Sequence, residues 1–284
     1  MALLVSIVNT DNRERLRACL SSVLGAAGGI GLCVVVVDNA SRDGSAAMVR
    51  SEFPEVVLIE RESRAGYSAN HNQALRLPPE PYALLLNEDT ELLPGALAAL
   101  LSFAEGNPRC GVVGPLVLNP NGSLQPSCNR FPHPAAEALR ALLPAGWARR
   151  LDPALSAPAH ACAGFPDWVG GVCLLLRRQA LEQVGGLDEG FFLFYEEVDL
   201  CRRLRAAGWE VGFAPEARIM HHGGRTYAGD PWAWAAGCLR QSRRRYFRKH
   251  HGALAAALVG WADALGLARS LMAGRARRHR RVGG

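Results

Sequence analysis

Solid apolar runs alternate with helically spaced apolar positions over the first 118 residues. Leu3–Val8 and Leu32–Val37 are apolar almost without a break, and each stops at a polar residue, Asn9 and Asp38. Such runs predict short strands buried on both faces of a sheet. Between them Leu16, Cys19, Leu20, Val23 and Leu24 recur at helical spacing, behind capping candidates Thr10, Asp11 and Asn12. The alternation continues with a helix near Ala46–Phe53, a strand at Val56–Ile59 and a helix over Ser68–Leu77. A strand at Ala83–Leu86, a helix over Pro94–Phe103 and a strand at Gly111–Leu118 follow. The pattern predicts an α/β fold of Rossmann-like type, its central sheet mostly parallel and flanked by helices.

Asn119–Pro166 breaks this rhythm. It is rich in Pro and Ala, holds one helical pattern near Ala135–Leu143, and reads as a long excursion of the kind that forms lids or binding loops. Strand and helix signals resume at DWVGGVCLLLRRQAL, then at the aromatic stretch before Glu196, at the strand Trp209–Phe213 and at IMHHGG. From Pro231 onward the pattern is helical only.

Three acidic clusters fall at predicted strand ends or helix starts: Asp38 with Asp43, Glu88 with Asp89, and Glu196 with Glu197 and Asp199. Open α/β sheets bind ligands beyond the carboxyl ends of their strands. Carboxylates there suit Mg²⁺ or Mn²⁺, which draw the rest of their shell from water and substrate phosphates. Asp38 could accept the N–H of a base, Asp89 could hold a metal against a diphosphate, and Glu196 or Glu197 could act as general base. Each has a plainer reading: a solvated acidic turn for Glu88–Asp89, and macrodipole complementation for acids in a first helical turn. His221 and His222 follow an apolar segment and are competent metal ligands or turn residues.

Composition bounds the class. A chain of 284 residues with 49% hydrophobic and 20% charged residues is globular. Eight scattered cysteines lack a C-x-x-C pair, which predicts reduced thiols, a cytoplasmic setting and no zinc site. MALLVSIVNT lacks a basic leader and reads as a strand. Charge is uneven. Between Arg240 and Arg281 twelve Arg or Lys residues face one acid, Asp263, a local +11 that leaves −5 on the remainder of a chain of net +6. Ala253–Gly274 is long enough to span a bilayer, but a central Asp costs roughly 2.5–3.5 kcal/mol there. Leu254, Leu258, Trp261, Leu265 and Met272 share one helical face, which fits a helix lying on an anionic membrane surface or one packed on the protein's own core. No recognition module accompanies the charge, so nucleic acid is not an expected partner.

The ordered set of motifs resembles the family 2 inverting glycosyltransferases of GT-A fold, rhamnosyltransferase-like bacterial members in particular. VSIVNT, VDNASRDGS, GYSANHN, LLLNEDT, DWVGGVCLLLRR, GLDEGFFLFYEEVDLCRR, IMHHGG and YFRKHHG come in the family's order over about Leu4–Gly252. The resemblance implies a nucleotide-diphospho-sugar donor and a glycan or lipid-linked glycan acceptor. It places Asp38, Asn39, Asp43, Gly66, Asn72 and Asn87 on the donor side, with Asp89 as metal ligand and His221 as a further metal or diphosphate contact. Trp168, Gly170, Gly171 and Asp188 fall on the acceptor side, and Glu197 takes the position of the base, with Glu196 as rival. It also implies residues 1–118 as the donor half, 119–228 as the acceptor half and 229–284 as a basic helical extension. Glu197 stands where the family commonly has Asp, and Arg64 where it has Asn. A nucleotidyltransferase and a non-catalytic sugar-nucleotide or glycan-binding protein are the alternatives; the former lacks a convincing phosphate loop at Asn9–Arg13.

Overall fold

The computed structural model describes residues 2–77, 80–142, 162–223 and 231–282. Four strands, β1 (Ala2–Asn9), β2 (Gly31–Asp38), β3 (Val57–Glu60) and β4 (Tyr82–Asn87), lie parallel in the order β3-β2-β1-β4. Their register sets Asn9 beside Asp38 and Val8 beside Asn87, so the polar residues that stop each apolar run share one edge of the sheet.

Beyond β4 the sheet turns mixed. After β5 (Thr90–Leu92), β6 (Cys110–Leu118) and the short β7 (Leu124–Gln125), β8 (Cys128–Asn129) and β9 (Trp168–Val169) form a small ribbon of their own. Then β10 (Cys173–Arg177) inserts antiparallel between β4 and β6, and β11 (Glu210–His221) runs parallel to β6 and antiparallel to β5. These last pairings matter for the site. The start of β10, with Gly170 and Gly171 just before it, reaches the same edge as Asn87, whose N–H donates to the Val172 carbonyl at 3.0 Å. The β11–β5 pair sets His221 opposite Thr90, one residue from Asp89.

Both sheet faces are covered, as solid apolar strands require. Leu3, Val5 and Ile7 point to the face packed by Leu16, Leu20 and Val23 of the helix Arg13–Gly25 and by Leu97 and Leu100 of Ala96–Gly106. Leu4, Val35 and Val37 point to the other face, against Ala74 of the helix Tyr67–Leu75. Farther along, Leu85, Leu174 and Leu176 meet Leu200 and Leu204 of the helix Glu196–Ala206. Each such fully buried side chain contributes about 1.5–3 kcal/mol.

The chain closes with the helix Pro231–Val282, broken at Gly252 (φ 86°, ψ 176°). Tyr246 and Phe247 before the break pack with Ala256 and Val259 after it, around Phe191 and Val198. Arg243 pairs with Asp263 across the break and with Glu137 at 2.8 Å on the helix Pro134–Leu142. Asp263, which weighs against a spanning helix, is therefore an internal ion-pair partner. The small residues Ala256, Val259 and Ala262 face inward, while Leu254, Leu258 and Trp261 face out, Leu254 with 89% of its surface exposed. The side chain of Met272 and the expected excursion over 143–161 lie outside the described residues. Among the described residues no helix is long and apolar enough to cross a membrane. Among the described residues no disulfide joins the cysteines.

Candidate active site

The loop after β2 is built around two buried polar residues. Asp38 accepts from Asn9 Nδ2 at 3.1 Å and from the Ser41 N–H at 2.9 Å. Asn39 ties the loop to its neighbour: its Oδ1 accepts from the Ala65 N–H at 2.8 Å, and its Nδ2 donates to the Ala65 carbonyl at 3.1 Å. Asp43 accepts from the N–H of Arg13 (2.7 Å) and from the N–H and hydroxyl of Ser45. Burial alone would raise its carboxyl, but these donors outweigh it and hold Asp43 below the usual carboxylate range. Arg64 pairs with Asp11 at the rim of the same loops.

At the end of β4, Glu88 and Asp89 are nearly buried. Burial, then the charge of Asp89, pushes the Glu88 carboxyl up to about 8, and Asn12 Nδ2 approaches it at 3.4 Å. Across the β5–β11 pair, His221 Nε2 lies 3.2 Å from Asp89 Oδ1, and its Nδ1 lies 3.0 Å from Gln125 Oε1. Either ring nitrogen can carry the proton, so Nε2 meets Asp89 Oδ1 through its N–H or, in the other tautomer, through a lone pair. In that second tautomer two lone-pair groups converge, which fits a shared cation. The set of protein ligands is small, since among the described residues no group of three or more His, Cys, Asp or Glu side chains is poised around one point. Mg²⁺ and Mn²⁺ accept such a site because water and phosphate complete their shell. His222 turns away, with Nε2 2.6 Å from Glu91 Oε1.

The third cluster sits opposite. Phe194 and Tyr195 both adopt φ 69°, a left-handed conformation costing non-glycine residues roughly 1–2 kcal/mol each. The turn they make launches the helix Glu196–Ala206, and the two glutamates occupy its first turn. Each retains a buried Oε2 without a hydrogen-bond partner among the described residues. Burial raises Glu197 to about 7, and burial plus the charge of Glu197 raises Glu196 well above its ordinary value. Gly171 stands against Glu197 with space for a Cβ only at 3.6–3.7 Å from its side chain. Tyr67 joins the two sides: its hydroxyl donates to the Gly171 carbonyl at 2.8 Å, and Glu196, Glu197 and Glu88 all help burial to raise its pKa.

The remaining expected residues are held in the scaffold around this crevice. A Cβ on Gly66 would lie 2.6 Å from the Phe192 carbonyl oxygen, and the Tyr67 N–H donates to that oxygen at 2.8 Å. The Asn72 amide is engaged by Leu187, whose carbonyl accepts at 2.9 Å and whose N–H donates at 3.1 Å. Trp168 Nε1 donates to the Arg130 carbonyl, and the Gly170 N–H donates to the Ser127 carbonyl at 2.8 Å. Asp188 accepts from Arg245 (2.8 Å) and Lys249 (2.7 Å). The structure thus gathers Asp38, Asn87, Asp89, His221, Gly171 and Glu197 along one edge, with Asp43, Asn72 and Asp188 engaged behind it. Sequence reasoning missed Gln125, Tyr67 and Lys249; Tyr67 and Lys249 carried a signal, as members of the GYSANHN and YFRKHHG motifs.

A family model described as "Glycosyltransferase like family 2" matches residues 2–248. The chain belongs to this family. As a family 2 glycosyltransferase it is an enzyme of glycosyl transfer. It is 33% identical over 216 residues, 70% of this chain and 69% of the relative, to the N-acetylglucosaminyl-diphospho-decaprenol L-rhamnosyltransferase of Mycobacterium tuberculosis. It is 26% identical to a low-salt glycan biosynthesis hexosyltransferase of Haloferax volcanii, over 77% of this chain and 66% of that one. GalNAc-T7, solved with UDP, GalNAc and Mn²⁺, superposes with TM-score 0.59 at 14% identity, over 86% of this chain and 47% of that chain. A Pyrobaculum calidifontis mannosyltransferase, solved with GDP-Man and Mn²⁺, gives TM-score 0.57 at 17% identity, over 97% and 79%. Both neighbours have the GT-A fold, and so does this glycosyltransferase.

Proposed function

We propose that this glycosyltransferase is metal-dependent and inverting, and moves a sugar from a nucleotide-diphospho-sugar to a hydroxyl of a lipid-linked glycan during cell-surface polysaccharide synthesis. The observation that carries the reading is the placement of Glu197: its side chain packs against Gly171, which adjoins the Val172 carbonyl held by the Asn87 N–H two residues before Asp89, and burial raises its carboxyl to about 7. A general base is most effective with a pKa near the working pH. The name of the Mycobacterium tuberculosis relative supports a rhamnosyl group as the sugar moved and a polyprenyl-diphosphate-linked sugar as acceptor, and we propose dTDP-rhamnose as the donor.

Asp38 and Asn39 hold the base end of the donor, Gly66 and Asn72 shape the loop beside it, and Asn87 lines the edge between. Asp89 Oδ1 and His221 Nε2 would hold Mg²⁺ or Mn²⁺, which supplies positive charge for the departing diphosphate. Glu197 takes the proton of the acceptor hydroxyl as that oxygen bonds to the anomeric carbon. The bond to the diphosphate breaks in the same displacement, its electron pair leaving with the diphosphate oxygen. Glu196, deeper in the fold, is the second candidate for the base. Residues 1–118 act as the donor half, 119–228 as the acceptor half and 229–284 as the extension.

The extension fits a cytoplasmic enzyme resting on the inner face of the plasma membrane. Leu254, Leu258 and Trp261 are exposed along one helical face, and Arg244 and Arg248 are exposed on the preceding segment. Apolar burial and attraction to anionic headgroups act together on such a surface. The enzymatic test is nucleoside diphosphate release from dTDP-rhamnose, UDP-hexoses and GDP-sugars with Mn²⁺ or EDTA, with and without a polyprenyl-diphosphate-linked acceptor. Acceptor-dependent, EDTA-sensitive release from dTDP-rhamnose is the expected result. Equal release in EDTA, or none from dTDP-rhamnose, would overturn the metal or the donor assignment.

A further inference from the structure

A single lysine from the C-terminal extension reaches two acids that bracket the catalytic segment. Lys249 Nζ lies 2.7 Å from Asp188 Oδ2 and 2.7 Å from Asp199 Oδ1. Asp188 opens the turn before the aromatic stretch, its Oδ1 accepting from the Gly190 N–H at 2.9 Å and its carbonyl from the Phe191 N–H at 3.1 Å. Asp199 closes the segment from inside the helix: its N–H donates to the Tyr195 carbonyl at 2.9 Å, and its side chain is fully buried. The segment between these acids carries the glutamates of the site. The left-handed pair Phe194 and Tyr195, and the glutamates Glu196 and Glu197, lie inside the bracket.

We propose that Lys249 is a positioning residue for the transfer reaction, tying together the two ends of the segment that carries Glu196 and Glu197. A left-handed pair of non-glycine residues persists only where its surroundings over-determine it. A tether between the segment's ends supplies that constraint. Arg245 and Lys249 also stand over the ring of Phe191, at 5.2 and 5.8 Å, so the same two cations grip the start of the segment by its side chain.

The surrounding charges make the role separable from folding. Without Lys249, Asp199 keeps Arg203 at 2.7 Å and His250 at 2.8 Å, and Asp188 keeps Arg245 at 2.8 Å. Each acid stays compensated, and what is lost is the direct bridge between them through one ammonium. Displacement of a catalytic group by about 1 Å can cost on the order of a hundredfold in rate.

The inference rests on Glu197 or Glu196 acting as base, and the test separates the two ideas. Full-length wild type, Lys249→Met, Lys249→Arg, Glu197→Gln and Glu196→Gln are compared for kcat and donor KM in acceptor-dependent transfer, alongside melting temperature. Lys249→Met should lose roughly 10- to 100-fold in kcat with donor KM within about twofold. Lys249→Arg, whose fork can still span two carboxylates, should recover most of the loss. A normal kcat in Lys249→Met overturns the proposal. So does a loss in kcat matched by a rise in donor KM and a lowered melting temperature, or one that Lys249→Arg fails to relieve. If both glutamine variants turn over normally, the base assignment falls, and the positioning role falls with it.

Discussion

Replacing Glu197 by Gln should do two opposite things at pH 8: stop transfer and stabilise the protein. Burial raises the Glu197 carboxyl from an ordinary 4.5 to about 7. Between those values the native state holds its proton more tightly than the unfolded chain, so stability falls as pH rises through this window. Above pH 7 the native state must carry the buried charge, at a cost of about 3 kcal/mol for a shift of this size. Gln is close to isosteric and never ionises. The variant should therefore be more stable than wild type at pH 8 by up to about 3 kcal/mol, or roughly 6 °C in melting temperature for a chain of this length. At pH 5 the gap should shrink below about 1 kcal/mol, because both native states are then uncharged at this position. Thermal melts of both proteins at the two pH values measure it. A variant less stable than wild type at both, or an offset independent of pH, would refute the buried-charge argument. In parallel, kcat of the wild type should rise about tenfold from pH 6 to pH 8, as the base loses its proton.

Asp89→Asn should lower kcat by roughly 10²–10³-fold and weaken the Mn²⁺ concentration dependence, read by nucleoside diphosphate release across a Mn²⁺ titration. Gly66→Ala forces a Cβ into the Phe192 backbone and should cost about 1–3 kcal/mol in urea unfolding; a silent substitution would mean the approach is looser than 2.6 Å. Leu258→Glu with Trp261→Glu should leave the melting temperature unchanged, since both side chains are exposed, yet reduce flotation with anionic liposomes at low salt. Unchanged flotation would remove the membrane face from the reading.

The strand ends were legible because a buried strand advertises its end abruptly: Leu86 is followed at once by Asn87, Glu88 and Asp89. Strand direction was not. A run such as Cys173–Arg177, buried on both faces, has the same composition whichever way it points, and it inserts antiparallel between β4 and β6. The strand Glu210–His221 read as two pieces because Pro215, Glu216 and Arg218 interrupt its apolar pattern. The fold absorbs that interruption as a register shift between Ala214 and Arg218. The Asp89–His221 meeting depends on a three-residue strand, Thr90–Leu92, too short to show any period. In the tail the helical pattern showed one apolar face, that of Leu254, Leu258 and Trp261, whereas the packing of Ala256, Val259 and Ala262 turns a face of smaller residues inward.

The contact at Gly66 bears on how the site can open. Its backbone presses on that of Phe192, and the next residue's N–H is spent on the same carbonyl. The start of the helix Tyr67–Leu75 and the segment leading to Glu196 are thus riveted together, main chain to main chain. Spreading the cleft like a clamshell along that line would break a hydrogen bond and strand a carbonyl. An opening motion of the site would meet resistance at this seam.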